Sequence, residues 1–94
     1  EVDSGISGKI AEKIGGLIEE LGKKRQIVCI THLSQIASKG DYHLLIEKTL
    51  KNKKTNVYIK KLSNNKRVIE IAGLISGSKI TENAKNQAKQ LLLN

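Results

Sequence analysis

The first regular pattern along the chain is that of an amphipathic helix. Ser7 is a suitable N-cap residue before this pattern, and Gly22 is a suitable C-terminal stop. The adjacent pair Gly15-Gly16 costs about 1 kcal/mol per glycine in a helix interior, so we expect close packing against this helix. Five apolar residues carry the helical spacing of i, i+4, i+7, i+8 and i+11: Ile10, Ile14, Leu17, Ile18 and Leu21.

A short apolar run follows at residues 26–31, and its β-branched residues predict a strand buried on both faces. Leu33, Ile36 and Ala37 then support a short helix that ends near Gly40. A helix, a buried strand and a second helix in succession indicate the α/β class. A single buried strand cannot form a covered sheet, so we expect its neighbours to come from a part of the protein that precedes residue 1.

The second half of the chain predicts a β-hairpin followed by two helices. Residues 42–50 and 55–62 are strand-like and are separated by four polar residues, 51–54. We expect a turn at Asn64-Asn65 and then a helix from Val68 that stops at Gly77. Thr81 is the predicted N-cap of a last helix. The predicted fold is therefore α/β, with one buried strand, one hairpin and about four helices.

The composition limits this fold to one small aliphatic domain. The chain has 94 residues, no Phe, Trp, Met or Pro, and two tyrosines. No apolar run approaches the roughly 18 residues of a membrane span. Cys29 lies inside an apolar run, which predicts a small buried hydrophobe and a cytoplasmic location. Asp41 and His43 have no companion ligands nearby, so we predict no metal site.

The net charge of +8 comes mostly from lysine and permits electrostatic attraction to nucleic acid. The lysines occur in every segment, in doublets such as Lys53-Lys54 and Lys60-Lys61, and no aromatic residues alternate with them. The charge alone therefore leaves two interpretations open, which are a nucleic-acid contact and an ordinary solvated surface.

Two stretches combine the residue types that phosphate chemistry needs. Residues 1–8 read Glu-Val-Asp-Ser-Gly-Ile-Ser-Gly, and residues 28–37 contain Thr31-His32 at the end of the predicted strand. In an α/β sheet the carboxyl ends of the strands line the ligand crevice, so Glu1 and His32 would both face it. A carboxylate can deprotonate an attacking water, and a neutral imidazole can hydrogen-bond the γ-phosphate.

These stretches resemble the ATP-binding heads of the ABC and SMC superfamily, and within it the RecN family of bacterial DNA repair proteins. Residues 1–8 are similar to the segment that starts at the glutamate after the Walker B aspartate. Residues 30–37 are similar to the switch segment, with Ser34 in place of the usual proline. The hairpin, the segment 67–77 and the final helix follow the same family, so that the resemblance covers essentially all 94 residues.

The resemblance implies that residues 1–94 form the carboxyl-terminal lobe of a P-loop NTPase head, a single incomplete domain. Glu1 corresponds to the catalytic glutamate, and His32 to the histidine that senses the γ-phosphate. The loop from Asp3 to Ser7 corresponds to the interface with an opposing head, although many relatives carry aspartate where Ser7 stands. Thr31 and Gln35 belong to the switch segment and are the other candidate binding residues.

The family's remaining ATP-binding parts have no counterpart in this sequence. No phosphate-binding loop of the form Gly-x-x-x-x-Gly-Lys-Ser/Thr occurs, and the Walker B aspartate, the signature motif and the coiled coil are also absent. We therefore expect the chain alone to be inactive as an ATPase.

The resemblance also implies partners and a cellular role. ATP and Mg²⁺ would be bound together with the amino-terminal part of the same head and with a second head in an ATP-dependent homodimer. DNA would be handled during recombinational repair of double-strand breaks, at the bacterial nucleoid. Two alternatives remain, which are a head fragment of another SMC- or ABC-type ATPase and a basic, non-enzymatic module that binds nucleic acid.

Overall fold

The computed structural model describes residues 8–93, which form four helices and one β-hairpin. Their order agrees with the α/β prediction except at the first strand. The predicted cap Ser7 and the loop residues Glu1 and Asp3 lie outside the described residues. The elements are α1 (Gly8–Gly22), α2 (Ser34–Ala37), β1 (Leu44–Lys51), β2 (Lys54–Lys61), α3 (Asn64–Ser76) and α4 (Glu82–Leu93).

The main core lies between α3 and α4 and is built mostly from small residues. Ile71 is the only large side chain among the described residues that is fully buried. Alanines on both helices allow the two backbones to approach closely, and aliphatic side chains close the edges of the contact. The buried members are Ile71, Ala72, Ala84 and Ala88, with Val68, Ile75, Leu91 and Leu92 packed around them.

Side-chain caps and one glycine define the ends of these two helices. The Ser63 hydroxyl accepts a hydrogen bond from Lys66 N at 3.4 Å, so Ser63 is the N-cap of α3. Asn64-Asn65 therefore opens α3, and the predicted turn at this pair was wrong. Gly77 ends α3 with φ of 79°, as the sequence predicted. Thr81 also caps α4 as predicted, because its hydroxyl accepts from Ala84 N at 3.0 Å.

The hairpin is confirmed, with a tighter turn than the sequence indicated. Leu44 pairs with Lys61 at the end nearest the helices, and Lys51 pairs with Lys54 at the other end. Two residues, Asn52 and Lys53, form the turn, instead of the four polar residues predicted. Both have positive φ, as in the type I′ turns that suit the twist of antiparallel strands.

The predicted buried strand at residues 26–31 is wrong, because this segment is irregular and largely exposed. Val28 is 81% exposed and Ile30 is 64% exposed. A strand requires a neighbour to bond its backbone, and β1 and β2 are the only paired strands among residues 8–93. Cys29 is half-buried in this segment, so the expectation of a buried cysteine was wrong as well.

Helix α1 buries a narrower face than its sequence pattern predicted. Ala11 and Gly15 are its buried residues, while Ile10, Leu17 and Leu21 remain exposed. Its contacts with the rest of the described chain are made chiefly to α2. No helix among residues 8–93 has the length and apolar character that crossing a membrane requires.

Candidate functional site

The predicted switch residues lie immediately before and within the single-turn helix α2. His32 is exposed, and Thr31 and Gln35 are partly buried. The Thr31 hydroxyl accepts a hydrogen bond from Leu33 N at 3.0 Å, which fixes the turn that leads into α2. A helix of four residues is not stable alone, so contacts with other elements must determine its orientation.

Helix α1 provides the first of these contacts through its glycines. A Cβ atom at Gly15 would lie 2.9 Å from the backbone oxygen of Gln35, so only glycine allows this approach. The expected close packing of Gly15 is thus confirmed, whereas Gly16 has open space around it.

The same approach brings the two sequence motifs together. Gly8 is the last residue of the first motif, and a Cβ atom there would lie 3.3 Å from Nε2 of Gln35 in the second motif. Residues 8 and 35 therefore meet although α1 and a long irregular segment separate them in sequence. Glu1, Asp3 and Ser7 lie outside the described residues, so their distances to His32 are not part of this geometry.

Arg67 of α3 supports the other end of the switch segment. Its Nη2 donates hydrogen bonds to the backbone oxygens of Ala37, at 3.0 Å, and Gly40. Ala37 is the last residue of α2 and Gly40 follows the helix, so Arg67 lies at the helix end where a cation also interacts favourably with the dipole. Arg67 thereby connects α3 to the switch segment across 27 and 30 residues of sequence.

An open cleft of about 710 Å³ lies beside His32. Apart from this histidine, the side chains that line the cleft are aliphatic or are neutral polar groups. The cleft therefore lacks the lysines that give the chain its net charge of +8. Helix α4 contributes four carboxamides at spacings of three and four residues, which place them on one helix face. The lining residues are His32, Leu33, Ser34, Gln35, Leu74, Ile75, Asn83, Asn86, Gln87, Gln90 and Leu91.

This arrangement can supply a hydrogen-bonding imidazole and several amides, but it supplies no cation for phosphates. A triphosphate needs basic side chains or a nest of backbone N–H groups, and the cleft lining contains no lysine or arginine. No group of three or more His, Cys, Asp or Glu side chains among residues 8–93 could hold a metal ion.

The sequence pattern predicted His32 and Gln35 as site residues, and it did not single out Arg67 or the carboxamides. The spacing of Asn83, Asn86, Gln87 and Gln90 on a predicted helix was a usable signal, because it marks a polar face without charge. Arg67 gave no such signal, since its role depends on carbonyl groups that only the fold brings near.

Known proteins of one name are similar to this chain over almost its whole length. The DNA repair protein RecN of Vibrio cholerae is 43% identical over 93 residues, which are 99% of this chain and 17% of that protein. RecN of Bacillus subtilis is 42% identical over 92 residues, 98% of this chain and 16% of that protein. RecN of Rickettsia bellii is 44% identical over 92 residues, 98% of this chain and 17% of that protein. No protein-family model matches the chain.

The class that these relatives define is that of bacterial DNA repair proteins. Over 98–99% of its length the chain is similar to these RecN proteins, as its motifs predicted. It corresponds to the carboxyl-terminal part of RecN and spans about one-sixth of the length of these relatives.

Proposed function

We propose that this chain is the hydrolytic lobe of a RecN-type ATPase head that acts in DNA repair. The observation that carries the proposal is the contact between the two motifs, since Gly8 closes the segment that begins with Glu1 and Gln35 follows His32 by three residues. A site built from both motifs would combine a carboxylate and an imidazole, which together can orient a water and stabilise charge on a phosphate.

In this proposal Glu1 acts as the base that orients and deprotonates the attacking water. His32 donates a hydrogen bond to the γ-phosphate, where negative charge develops. Thr31 sets the turn before His32 through its bond with Leu33 N, and Gln35 fixes α2 against the start of α1. Asp3 and Ser7 contribute to the interface with a second head.

The phosphates and Mg²⁺ are held by parts of the protein outside this chain. The absence of a phosphate-binding loop from the sequence and of cations from the cleft lining both support this division. The amino-terminal part of the same head is the partner that completes the site, and a second head closes over the nucleotide. The names of the relatives support a role in DNA repair, and we extend this to double-strand breaks by family resemblance.

The test uses the full-length protein that contains this segment. Glu1→Gln should lower the steady-state rate of ATP hydrolysis by about 10²- to 10⁴-fold, the usual contribution of a positioned base, with ATP binding retained. His32→Ala should lower kcat by about 10²- to 10³-fold, as the loss of one donor at a developing charge does.

His43→Gln is the matched control, because it changes a histidine that lies outside the cleft lining. It should leave kcat unchanged. Wild-type rates in both the Glu1 and the His32 variants would refute the proposed site. Metal-dependent ATP turnover by the purified 94-residue chain would refute the division of the site between two parts.

A further inference from the structure

The β-hairpin ends in a cluster of four exposed lysines, which we call the tip lysines. They lie in the second half of β1, in the turn and at the start of β2. No ion pair with a described acidic residue involves any of them, whereas Lys60 farther back pairs with Glu47 at 3.3 Å. The tip lysines are Lys48, Lys51, Lys53 and Lys54.

The hairpin places these charges away from the rest of the described chain. None of the four helices packs closely against β1 or β2, and the hydrogen bond from Leu62 N to His43 O, of 2.9 Å, closes the opposite end. The strands are 8 residues each, so the turn lies about 25 Å from that end at the usual rise of a strand. The tip can therefore reach a partner surface without moving a helix.

One of the charges occupies a turn position where a lysine is unfavourable for the hairpin itself. Lys53 has φ of 60°, a left-handed conformation that glycine adopts readily and that a lysine side chain disfavours. In two-residue turns with positive φ at both positions, Asn followed by Gly is the preferred pair, and here the pair is Asn52-Lys53.

The pairing beside the turn is unfavourable in the same sense. Lys51 lies directly opposite Lys54, and like charges in that position repel each other. Residues that destabilise the element in which they lie are expected where function requires them. The tip thus concentrates positive charge at a cost in hairpin stability.

We propose that the tip lysines bind the phosphate backbone of duplex DNA. A protruding two-stranded ribbon with unpaired lysines is complementary to a regular row of phosphates, and lysine binds phosphate as a point charge without reading sequence. The described residues place no aromatic side chain in the turn for stacking on unpaired bases, which favours a duplex over a single strand. The choice of DNA as the nucleic acid rests on the proposed repair function.

The experiment measures binding of a fluorescent DNA duplex of random sequence to the full-length protein, without nucleotide and over a range of salt concentrations. The tip variant carries Lys48→Gln, Lys51→Gln and Lys54→Gln. Its affinity should fall at least ten-fold at low salt. The negative slope of log affinity against log salt should become shallower by about two to three, which is about 0.9 per lost phosphate contact. A matched triple variant with exposed lysines outside the hairpin is the control: Lys9→Gln, Lys13→Gln and Lys89→Gln.

Lys53→Gly separates binding from stability, because the two should change in opposite directions. Glycine relieves the left-handed conformation, so hydrogen exchange at the hairpin amides should slow by roughly two- to five-fold. DNA affinity should nevertheless fall, with a salt slope lower by about one.

Three results would overturn the proposal. The first is an equal loss of affinity in the tip variant and the control variant, which would indicate a general effect of net charge. The second is unchanged or higher DNA affinity in Lys53→Gly. The third is tighter, tip-dependent binding to phosphatidylserine vesicles than to the duplex. These measurements do not depend on ATP hydrolysis, so they test the tip lysines even if the proposed catalytic site is wrong.

Discussion

At the scale of single residues, His43 has an unusual environment just before β1. It is half-buried, and its Nδ1 atom is buried without a hydrogen-bond partner among the described residues. Burial lowers the pKa of His43 below its ordinary value of 6.5, the positive charge of Arg67 lowers it further, and Glu70 acts in the opposite direction. The folded chain therefore favours the neutral imidazole.

This environment predicts a loss of stability in mild acid. Because the unfolded chain takes up a proton near pH 6.5 and the folded chain only at lower pH, stabilisation is complete above 6.5 and declines as pH falls toward the folded pKa. His43→Gln removes the titrating group and should flatten this part of the profile. Urea denaturation at pH values from about 7.5 to about 5 gives the slope of the free energy of unfolding against pH. A loss of packing in the variant lowers this free energy equally at every pH and leaves the slope unchanged. Equal slopes in the variant and the wild type would contradict the argument.

At the scale of elements, the position of α2 depends on how closely α1 approaches it. Gly15 and Gly16 are adjacent in α1, but only Gly15 faces the α2 backbone. The Gly15 contact from α1 and the two hydrogen bonds from Arg67 of α3 both hold the switch segment. The two glycines thus have the same intrinsic helix propensity and different surroundings.

The two glycines give a matched pair of substitutions. Gly16→Ala should raise the free energy of unfolding by about 1 kcal/mol, because alanine favours a helix and nothing lies within 4 Å. Gly15→Ala should lower it by about 1 kcal/mol, since a Cβ atom 2.9 Å from the Gln35 oxygen forces the backbones apart by more than the propensity gain. Urea denaturation of both variants checks the signs, and a stabilising Gly15→Ala would show that α2 shifts freely.

The elements also show which features a sequence can predict. The ends of α3 and α4 were predictable at Gly77 and Thr81, because a cap involves residues a few positions apart. The irregular conformation of residues 26–31 was not predictable, because a strand there depends on backbone partners that the described chain lacks. In the site, His32 and Gln35 were predicted from their motif, whereas Arg67 acts only through a contact formed by the fold.

At the scale of the whole molecule, the distribution of exposed apolar residues is uneven. One face of the hairpin exposes aliphatic side chains, among them Ile46 and Ile59 in a directly opposed pair. Helix α1 and residues 27–30 expose a second set that includes Leu17 and Val28. Large exposed apolar surfaces mark contacts with other protein, and this chain spans about one-sixth of its relatives' length. We expect the amino-terminal part of the head to cover the α1 set.

This expectation can be tested with one substitution in two settings. Leu17 is 61% exposed, so Leu17→Gln should change the stability of the isolated chain by no more than about 0.5 kcal/mol. In the full-length protein the same leucine would be buried, and its replacement should lower stability by about 2 kcal/mol. Leu50→Gln is the control, because Leu50 is 78% exposed next to the tip lysines, and it should be nearly neutral in both settings. Thermal unfolding of the four variant samples, each compared with the wild type in the same setting, gives the comparison. A neutral Leu17→Gln in the full-length protein would contradict this expectation, because it would show that Leu17 stays exposed there.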